Sequence, residues 1–404
     1  MNAPLSPSDV PRGFSFAAAH CGIKRARPDL AILVSETPAA AAAMFTTNRV
    51  QAAPVHVSRA HVRQAADRMR GIVVNSGNAN CCTGPAGFAA SRETVRAFAR
   101  ELGTEPSQVM VCSTGVIGAP LRVEKILRAL PELARSRRPD GDAFADVARA
   151  IMTTDTRPKW AAAKCRIGGK QVRILGCAKG SGMIQPNMAT MLAFLCTDAA
   201  ISPAVLARAL QSAAGGTFHA ITVDGDTSTN DSVMLLANGE SGAPKIRRVE
   251  ESGYRKFYAA LETVCRSLAL AVVEDGEGAQ RVIEIEVRGA PSDRAADQVA
   301  RTIANSPLVK TAFAGADPNW GRVLAAAGRS GVAFDFQRVD IWLAGILVCR
   351  RGVEHKFSER AVHEKMLAKH VHVLVDLRSG RSRARIWTCD FTGEYVHINA
   401  SYRT

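Results

Sequence analysis

The chain has no run of roughly 18 uncharged apolar residues, so its sequence predicts no membrane-spanning helix. Met1 to Gly13 has no apolar h-region and no cleavage-site pattern, so no secretory leader is expected and the cytoplasm is the expected compartment. Aromatic residues are only 5% of the composition, poor for stacking on bases. Neither a CxxC pair nor HExxH or HxxxH spacing occurs, so no metal site is expected and none of the standard zinc arrangements applies. Long Lys/Arg runs are missing too, which argues against nucleic acid as a partner.

What is present is the composition of a folded protein: 404 residues, 47% hydrophobic and 22% charged. That length predicts two domains. The formal net charge is +15 and unevenly placed. Residues 1–189 hold 26 Lys and Arg against 13 Asp and Glu; residues 190–404 hold 26 against 24. This excess alone motivates a rival reading as a polyanion-binding protein. Ten cysteines without framework spacing read as buried or incidental thiols, and His370 with His372 as a structural pair on one strand.

Hydrophobic periodicity predicts alternating short strands and amphipathic helices. Strands are expected at Leu30–Val34, Gly71–Val74, Val109–Cys112, Gln171–Leu175, Met191–Cys196, Val282–Val287, His372–Leu377, Arg383–Thr388 and Tyr395–Ile398. One helix is marked by the face Phe88, Val95, Phe98 and Leu102, closed by Gly103, and another by Val123, Ile126, Leu127 and Leu130. Further helices are expected at Ser202–Ala213, Tyr254–Val272, Ala295–Ala304 and Ser358–Lys369. The class is α/β or α+β, with a domain boundary expected after the Glu274–Gly278 turn, giving 1–280 and 281–404.

Polar, glycine-rich clusters follow these elements at Asn75–Asn80, Ser113–Gly118, Lys179–Met183, Asp224–Asp231 and Asp275–Gly278. Generic motifs fail on them. Gly180 is followed by Ser181 and not by Lys-Ser/Thr, so there is no Walker A loop. Thr229 and Leu235 break a calcium loop, and no Gly-x-Ser-x-Gly elbow occurs. The segment Lys179 to Leu195 is different: Thr190 stands where a polar loop turns into an apolar strand. Cleavage after Ala189 would give Thr190 a free α-amine, with a pKa near ~8, as a base beside its own weakly nucleophilic hydroxyl.

That segment closely resembles the self-processing site of the ornithine acetyltransferase family, also called glutamate N-acetyltransferase or ArgJ. The likeness runs from Gly13 to Thr404. It takes in Met44–Asn48, Ala52–Val55, Asn75–Gly84, Ser113–Gly118, Thr153–Thr156, Lys179–Leu192, Ile221–Asp231, Asp275–Ala279, Asp317–Arg322 and Glu394–Ala400. The resemblance implies an αββα sandwich similar to the N-terminal-nucleophile hydrolases, followed by a smaller C-terminal α/β domain. It further implies autocatalytic cleavage between Ala189 and Thr190. Thr190 would then carry acetyl from N2-acetylornithine to glutamate, with acetyl-CoA a second donor in some members. The Thr114 side chain and Gly115 amide would form the oxyanion hole. Thr154, Lys179, Thr190, Glu277, Asn399 and Thr404 would bind substrate: Lys179 suits a carboxylate, Glu277 the ornithine ammonium. No metal or cofactor is implied, and two alpha and two beta chains would assemble as a heterotetramer.

Three departures fall near these positions: Cys81 where Ala is usual, Ala279-Gln280-Arg281 for Ala-Thr-Lys, and Ser401 for Asp. Gln280 and Ser401 flank proposed binding residues, so donor or acceptor preference could differ there. The nearest alternative is a self-cleaving amidase or aminopeptidase with an N-terminal Thr, in which water takes the acyl group.

Overall fold

A computed structural model describes residues 4–185 and 191–401, which divide into two compact units. The first runs to His219 and resumes from Asp226 to Val272; the second takes Ala220–Gly225 and everything described from Val273 onward.

The first unit carries strands β1 (Phe14–Ala19), β2 (Leu30–Phe45), β3 (Met69–Asn78), β4 (Val109–Val116), β5 (Lys159–Ile167), β6 (Lys170–Lys179), β7 (Leu192–Thr197) and β8 (Ser232–Ala237). Its helices are α1 (Ala53–Ala65), α2 (Gly84–Glu101), α3 (Val123–Arg135), α4 (Gly141–Ala150), α5 (Pro203–Gly215) and α6 (Ser252–Glu274). The strand order is β4-β3-β2-β8-β7-β6-β5, with β1 also on β2. β2 is the pivot. Its first part pairs with β1 and β3, and Ala40–Phe45 pair with β8.

The two halves joined by β2 share one core. Phe14, Phe16, Leu33, Ile72, Val74 and Met110 from one half pack in the same cluster as Leu175, Phe194, Met234 and Leu236 from the other. The outer face of the first half is covered by α2 and α3, through Val95, Phe98, Ile126 and Leu130. α6 lies on the outer face of the other half: a Cβ on Gly176 of β6 would meet Leu268 and Val264 at 3.1 and 3.2 Å. The result is α/β/β/α layering, as expected. Inward alternation of apolar side chains on strands, and one apolar stripe per helix, leave this arrangement as the way to bury both.

The second unit is a six-stranded sheet made of β9 (Val282–Ala290), β10 (Asp340–Leu343), β11 (Ile346–Arg350), β12 (Val353–Glu354), β13 (His370–Asp376) and β14 (Ser382–Cys389). They lie in the order β12-β11-β10-β13-β9-β14. Its helices are α7 (Asp293–Ala304), α8 (Pro307–Ala314), α9 (Trp320–Gly328), α10 (Glu359–Met366) and α11 (Gly393–Ser401). Helix starts follow local chemistry: Asp140 caps α4 by accepting from Ala143 N, and Ser292 caps α7 by accepting from Ala295 N. The segment Ala220–Gly225 joins this unit through Thr222 N, which donates to Trp387 O at 2.9 Å.

One expectation is overturned. Tyr395–Ile398 is not a strand but the middle of α11. The β-branched Val396 and Ile398 favour a strand, yet local contacts decide for the helix. Phe391 stacks on Tyr395 with ring centroids 4.6 Å apart, and Asn399 Nδ2 donates to Tyr395 O one turn back. No described helix is long and apolar enough to cross a membrane.

Candidate active site

Thr114 and Gly115 lie at the end of β4, which runs parallel to β3. Gly115 has φ of +128°, and a Cβ there would come within 2.6 Å of Asn78 N and closer still to the Gly77 carbonyl carbon. Only glycine lets the two strand ends approach like this. The Asn75–Asn80 turn is then stitched to the Ser113–Gly118 turn. Ser113 Oγ donates to Asn75 Oδ1 at 2.6 Å, Ala79 N to Val116 O at 2.9 Å, and Gly118 N to Cys81 O at 3.0 Å. Asn75 Nδ2 donates to Asn78 O at 2.9 Å, and Asn78 Nδ2 donates to Ala119 O and Pro120 O.

A third loop locks the first two. Asn230 Nδ2 donates to Ala79 O at 2.6 Å and to Ser113 O at 2.8 Å, with its Oδ1 taken by Thr229 Oγ1. The asparagines thus do structural work, fixing the backbone on either side of Thr114. Such a rigid frame is what donors aimed at a developing oxyanion require.

Lys179 ends β6, and its Nζ donates at 3.0 Å to Oγ1 of Thr153, the residue that precedes Thr154 in the chain. Beneath them lies a buried ion pair, Asp155 with Lys159 at 2.6 Å, with side chains 0% and 1% exposed. Asp155 also accepts from Gly180 N at 2.8 Å and Thr153 N at 3.0 Å, so one carboxylate fixes both segments that flank Lys179. Burial opposes its ionisation, but Lys159, Lys179 and the Gly180 amide prevail and hold it at about 2. Lys24 anchors the other end of the 150–155 segment, donating to Ala150 O and Met152 O at 3.2 and 2.6 Å. Burial depresses its pKa to about 8.

In the second unit, Asn399 Nδ2 donates to Glu277 Oε2 at 2.7 Å, so α11 orients the Glu277 carboxylate. Gly278, with φ of +71°, turns the chain, and Thr392 Oγ1 donates to its carbonyl at 2.8 Å. The departures Gln280 and Arg281 both donate backbone amides to Asp390 Oδ1. Ser401 closes α11. The expected cleavage pair, Ala189 and Thr190, and Thr404 lie outside the described residues.

Residue types alone did not mark Asp155 or Lys159, which lie outside the five polar clusters, whereas Asn230 and Asp231 belong to the Asp224–Asp231 cluster. Nor did spacing mark the three-residue group Glu284, Glu286 and His372, whose ligand-type atoms lie within 4.8 Å of one another. Its carboxylates are already compensated: Arg288 reaches Glu286 at 2.6 Å, Arg385 reaches Glu284 at 3.0 Å, and His372 Nε2 lies 3.1 Å from Glu286.

The first unit is thus an α/β/β/α sandwich of the mixed α/β class that carries a glycine-pinned turn at Gly115 and a buried lysine, Lys179. The comparisons with known proteins narrow the class. The ArgJ family model matches residues 15–404. The arginine biosynthesis bifunctional protein ArgJ of Thermotoga neapolitana is 47% identical, over 98% of this chain and 100% of that protein. Its counterpart in Dehalococcoides mccartyi is 48% identical over 98% and 96%. Among solved structures, Bacillus halodurans ArgJ is 41% identical, covering 51% of this chain and 96% of its own, with a TM-score of 0.49. The ornithine acetyltransferase of Mycobacterium tuberculosis, solved with ornithine, is 34% identical over 46% and 98%, with a TM-score of 0.39. This chain belongs to the ArgJ family and is an acyltransferase of arginine biosynthesis.

Proposed function

We propose that this chain cuts itself between Ala189 and Thr190 and then moves acetyl from N2-acetylornithine to glutamate through an acetyl ester on Thr190. The observation that supports this reading is the pinned Thr114–Gly115 turn, where a rigid backbone could present an amide to a developing negative charge.

The cycle is ping-pong. Thr190 Oγ attacks the acetyl carbonyl, ornithine leaves with its amine restored, and the amine of glutamate then attacks the ester. Thr114 and Gly115 stabilise both tetrahedral intermediates, each donor being worth about 3 kcal/mol of barrier. Lys179 binds a substrate carboxylate, with Thr154 alongside, and the Glu277 carboxylate held by Asn399 receives the ornithine ammonium. Thr404 belongs to the same binding set. The working enzyme has 189- and 215-residue pieces, which assemble as two alpha and two beta chains. Acetyl-CoA is the donor to test beside N2-acetylornithine.

Intact-mass spectrometry and an isotope assay test this together. A Thr190 N-terminus, and N-acetylglutamate formed one for one with ornithine, are the expected results. Ornithine release without N-acetylglutamate would replace transfer by hydrolysis. A wholly uncut chain would remove Thr190 from the mechanism, and so would Thr190→Ala if it were still processed.

A further inference from the structure

Cys81 and Cys82 stand side by side where the chain leaves β3 for α2. Cys81 is a departure from the Ala usual in the family. Consecutive side chains on an extended strand point to opposite faces, yet these two thiols lie 3.7 Å apart, Sγ to Sγ. Left-handed backbone brings them together: φ is +48° at Asn80 and +57° at Cys82. Their surroundings differ. Cys81 is buried against Ala52, Val55 and Ala79, whereas Cys82 is the exposed one of the ten cysteines.

The backbone around the pair is tied down on both sides. Asn80 is held by its side chain: Nδ2 donates to Gly87 O and to Ser91 Oγ, each at 2.9 Å, and Oδ1 accepts from Thr83 Oγ1 at 2.9 Å. Its backbone N donates to Asn78 Oδ1 at 2.8 Å. The Cys81 carbonyl accepts from Gly118 N at 3.0 Å, a bond that anchors the end of the Ser113–Gly118 turn. The peptide between Cys81 and Cys82 therefore joins the thiol pair to the turn that carries Thr114 and Gly115.

We propose that Cys81 and Cys82 are a redox pair, oxidised to a disulfide by a low-molecular-weight disulfide, and that the new bond draws the Cys81 carbonyl away from Gly118. Its effect on catalysis rests on the Thr114–Gly115 reading above; its formation does not. Cys82, the accessible thiol, attacks one sulfur of the oxidant as thiolate, so that a mixed disulfide forms and one small thiol leaves. Cys81 then attacks the Cys82 sulfur and the second small thiol leaves. The protein gives up two electrons, the S–S bond of the oxidant is reduced, and the two protein thiol protons end on the two released thiols. Exposure sets this order, and burial agrees with it by holding the Cys81 thiol above its usual range.

The product is an eight-membered ring that contains the 81–82 peptide. Cα atoms across a trans peptide are about 3.8 Å apart, short of the roughly 4.4–6.8 Å that a disulfide ordinarily spans. The ring closes only if that peptide twists, and with Asn80 held the twist falls on the Cys81 carbonyl. The same mismatch makes the bond easy to reduce, as a reversible switch requires.

The test uses the full chain equilibrated with oxidised or reduced glutathione, alkylated, and mapped by mass spectrometry without reduction. Oxidised wild type should yield an unalkylated Cys81–Cys82 peptide lighter by two hydrogens. Its kcat should fall at least about tenfold, with KM within about twofold, and recover in dithiothreitol. Amide hydrogen exchange at Gly118 should quicken on oxidation, a readout that needs no activity. Cys81→Ala and Cys82→Ser should keep the reduced kcat within about twofold and lose the response, Cys81→Ala collecting a glutathione adduct on Cys82 instead. Wild-type thiols that stay free in oxidised glutathione overturn the proposal, as does a Cys82 adduct that Cys81 never resolves. A Cys81–Cys82 bond that leaves Gly118 exchange unchanged overturns it too. So does an oxidative loss of kcat that persists in Cys82→Ser, since another thiol is then responsible. A bond that quickens Gly118 exchange yet leaves kcat unchanged overturns the Thr114–Gly115 reading and leaves the redox pair standing.

Discussion

Single side chains set the limits of this site. At Gly115 a methyl group would press on the Gly77 carbonyl carbon and Asn78 N in a backbone region that L side chains avoid. Gly115→Ala should therefore fold with normal far-ultraviolet circular dichroism yet lose about 100-fold or more in kcat, since a displaced oxyanion donor costs about 3 kcal/mol. A variant with wild-type kcat would take the turn out of the chemistry. Asp155 makes a prediction about acid stability. Its carboxyl falls from an ordinary 3.8 to about 2 in the folded protein. The native state thus binds its proton less readily than the unfolded chain does. The contribution is fully present above pH 3.8, on the order of 2 kcal/mol, and is lost as pH falls toward 2. Urea unfolding across that interval should show the step in wild type, flattened in Asp155→Asn/Lys159→Met. Removing both charges avoids stranding the buried Lys159.

Between elements, the asparagine clamp is the part most easily broken. Asn230 holds carbonyls of two different turns, Ala79 and Ser113, from a loop far along the chain. Asn230→Ala orphans both, at about 1–3 kcal/mol each, and should lower kcat more than it raises KM, because it loosens the turn and not the binding lysine. Thermal melts paired with kinetics check this; a destabilised variant with unimpaired kcat would contradict it. The same element scale shows what could be read in advance. α2 was legible because Val95, Phe98 and Leu102 share a stripe and Gly103 ends it. β2 was legible only at Leu30–Val34: beyond Pro38 its run of alanines carries no strand signal, and pairing with β8 makes it extended. α11 was misread because helix formation there depends on Phe391 and Asn399, not on the propensities of Val396 and Ile398. Thr114, Gly115, Lys179, Glu277 and Asn399 were accessible through family likeness. Asn230 and Asp155 fall within stretches of that likeness, yet no role was assigned to them or to Lys159, because their importance lies in partners that only folding brings together, such as Asn230 with Ser113.

For the whole molecule, the strand order decides what the proposed cleavage after Ala189 would do. In β4-β3-β2-β8-β7-β6-β5, all strands but β7 and β8 precede Ala189, and these two sit between β2 and β6. β8 pairs with β2 from Ala40 to Phe45, and β7 pairs with β6 from Ile174 to Lys179. The second piece is thus wedged into the sheet of the first, with Phe194, Met234 and Leu236 in the same core as Phe16 and Leu33. Charge does not hold them: the first piece carries 26 basic against 13 acidic residues and the second 26 against 24, so there is no opposite net charge to attract. Salt should therefore leave the cut protein whole. At about 1 M salt the screening length is roughly 3 Å, which erases long-range attraction but not sheet hydrogen bonds or apolar burial. Size-exclusion chromatography there should elute both pieces together, and they should separate only in denaturant, in one cooperative transition for the first unit. Separation by salt alone would show that the pieces meet through their surfaces and not through a common sheet.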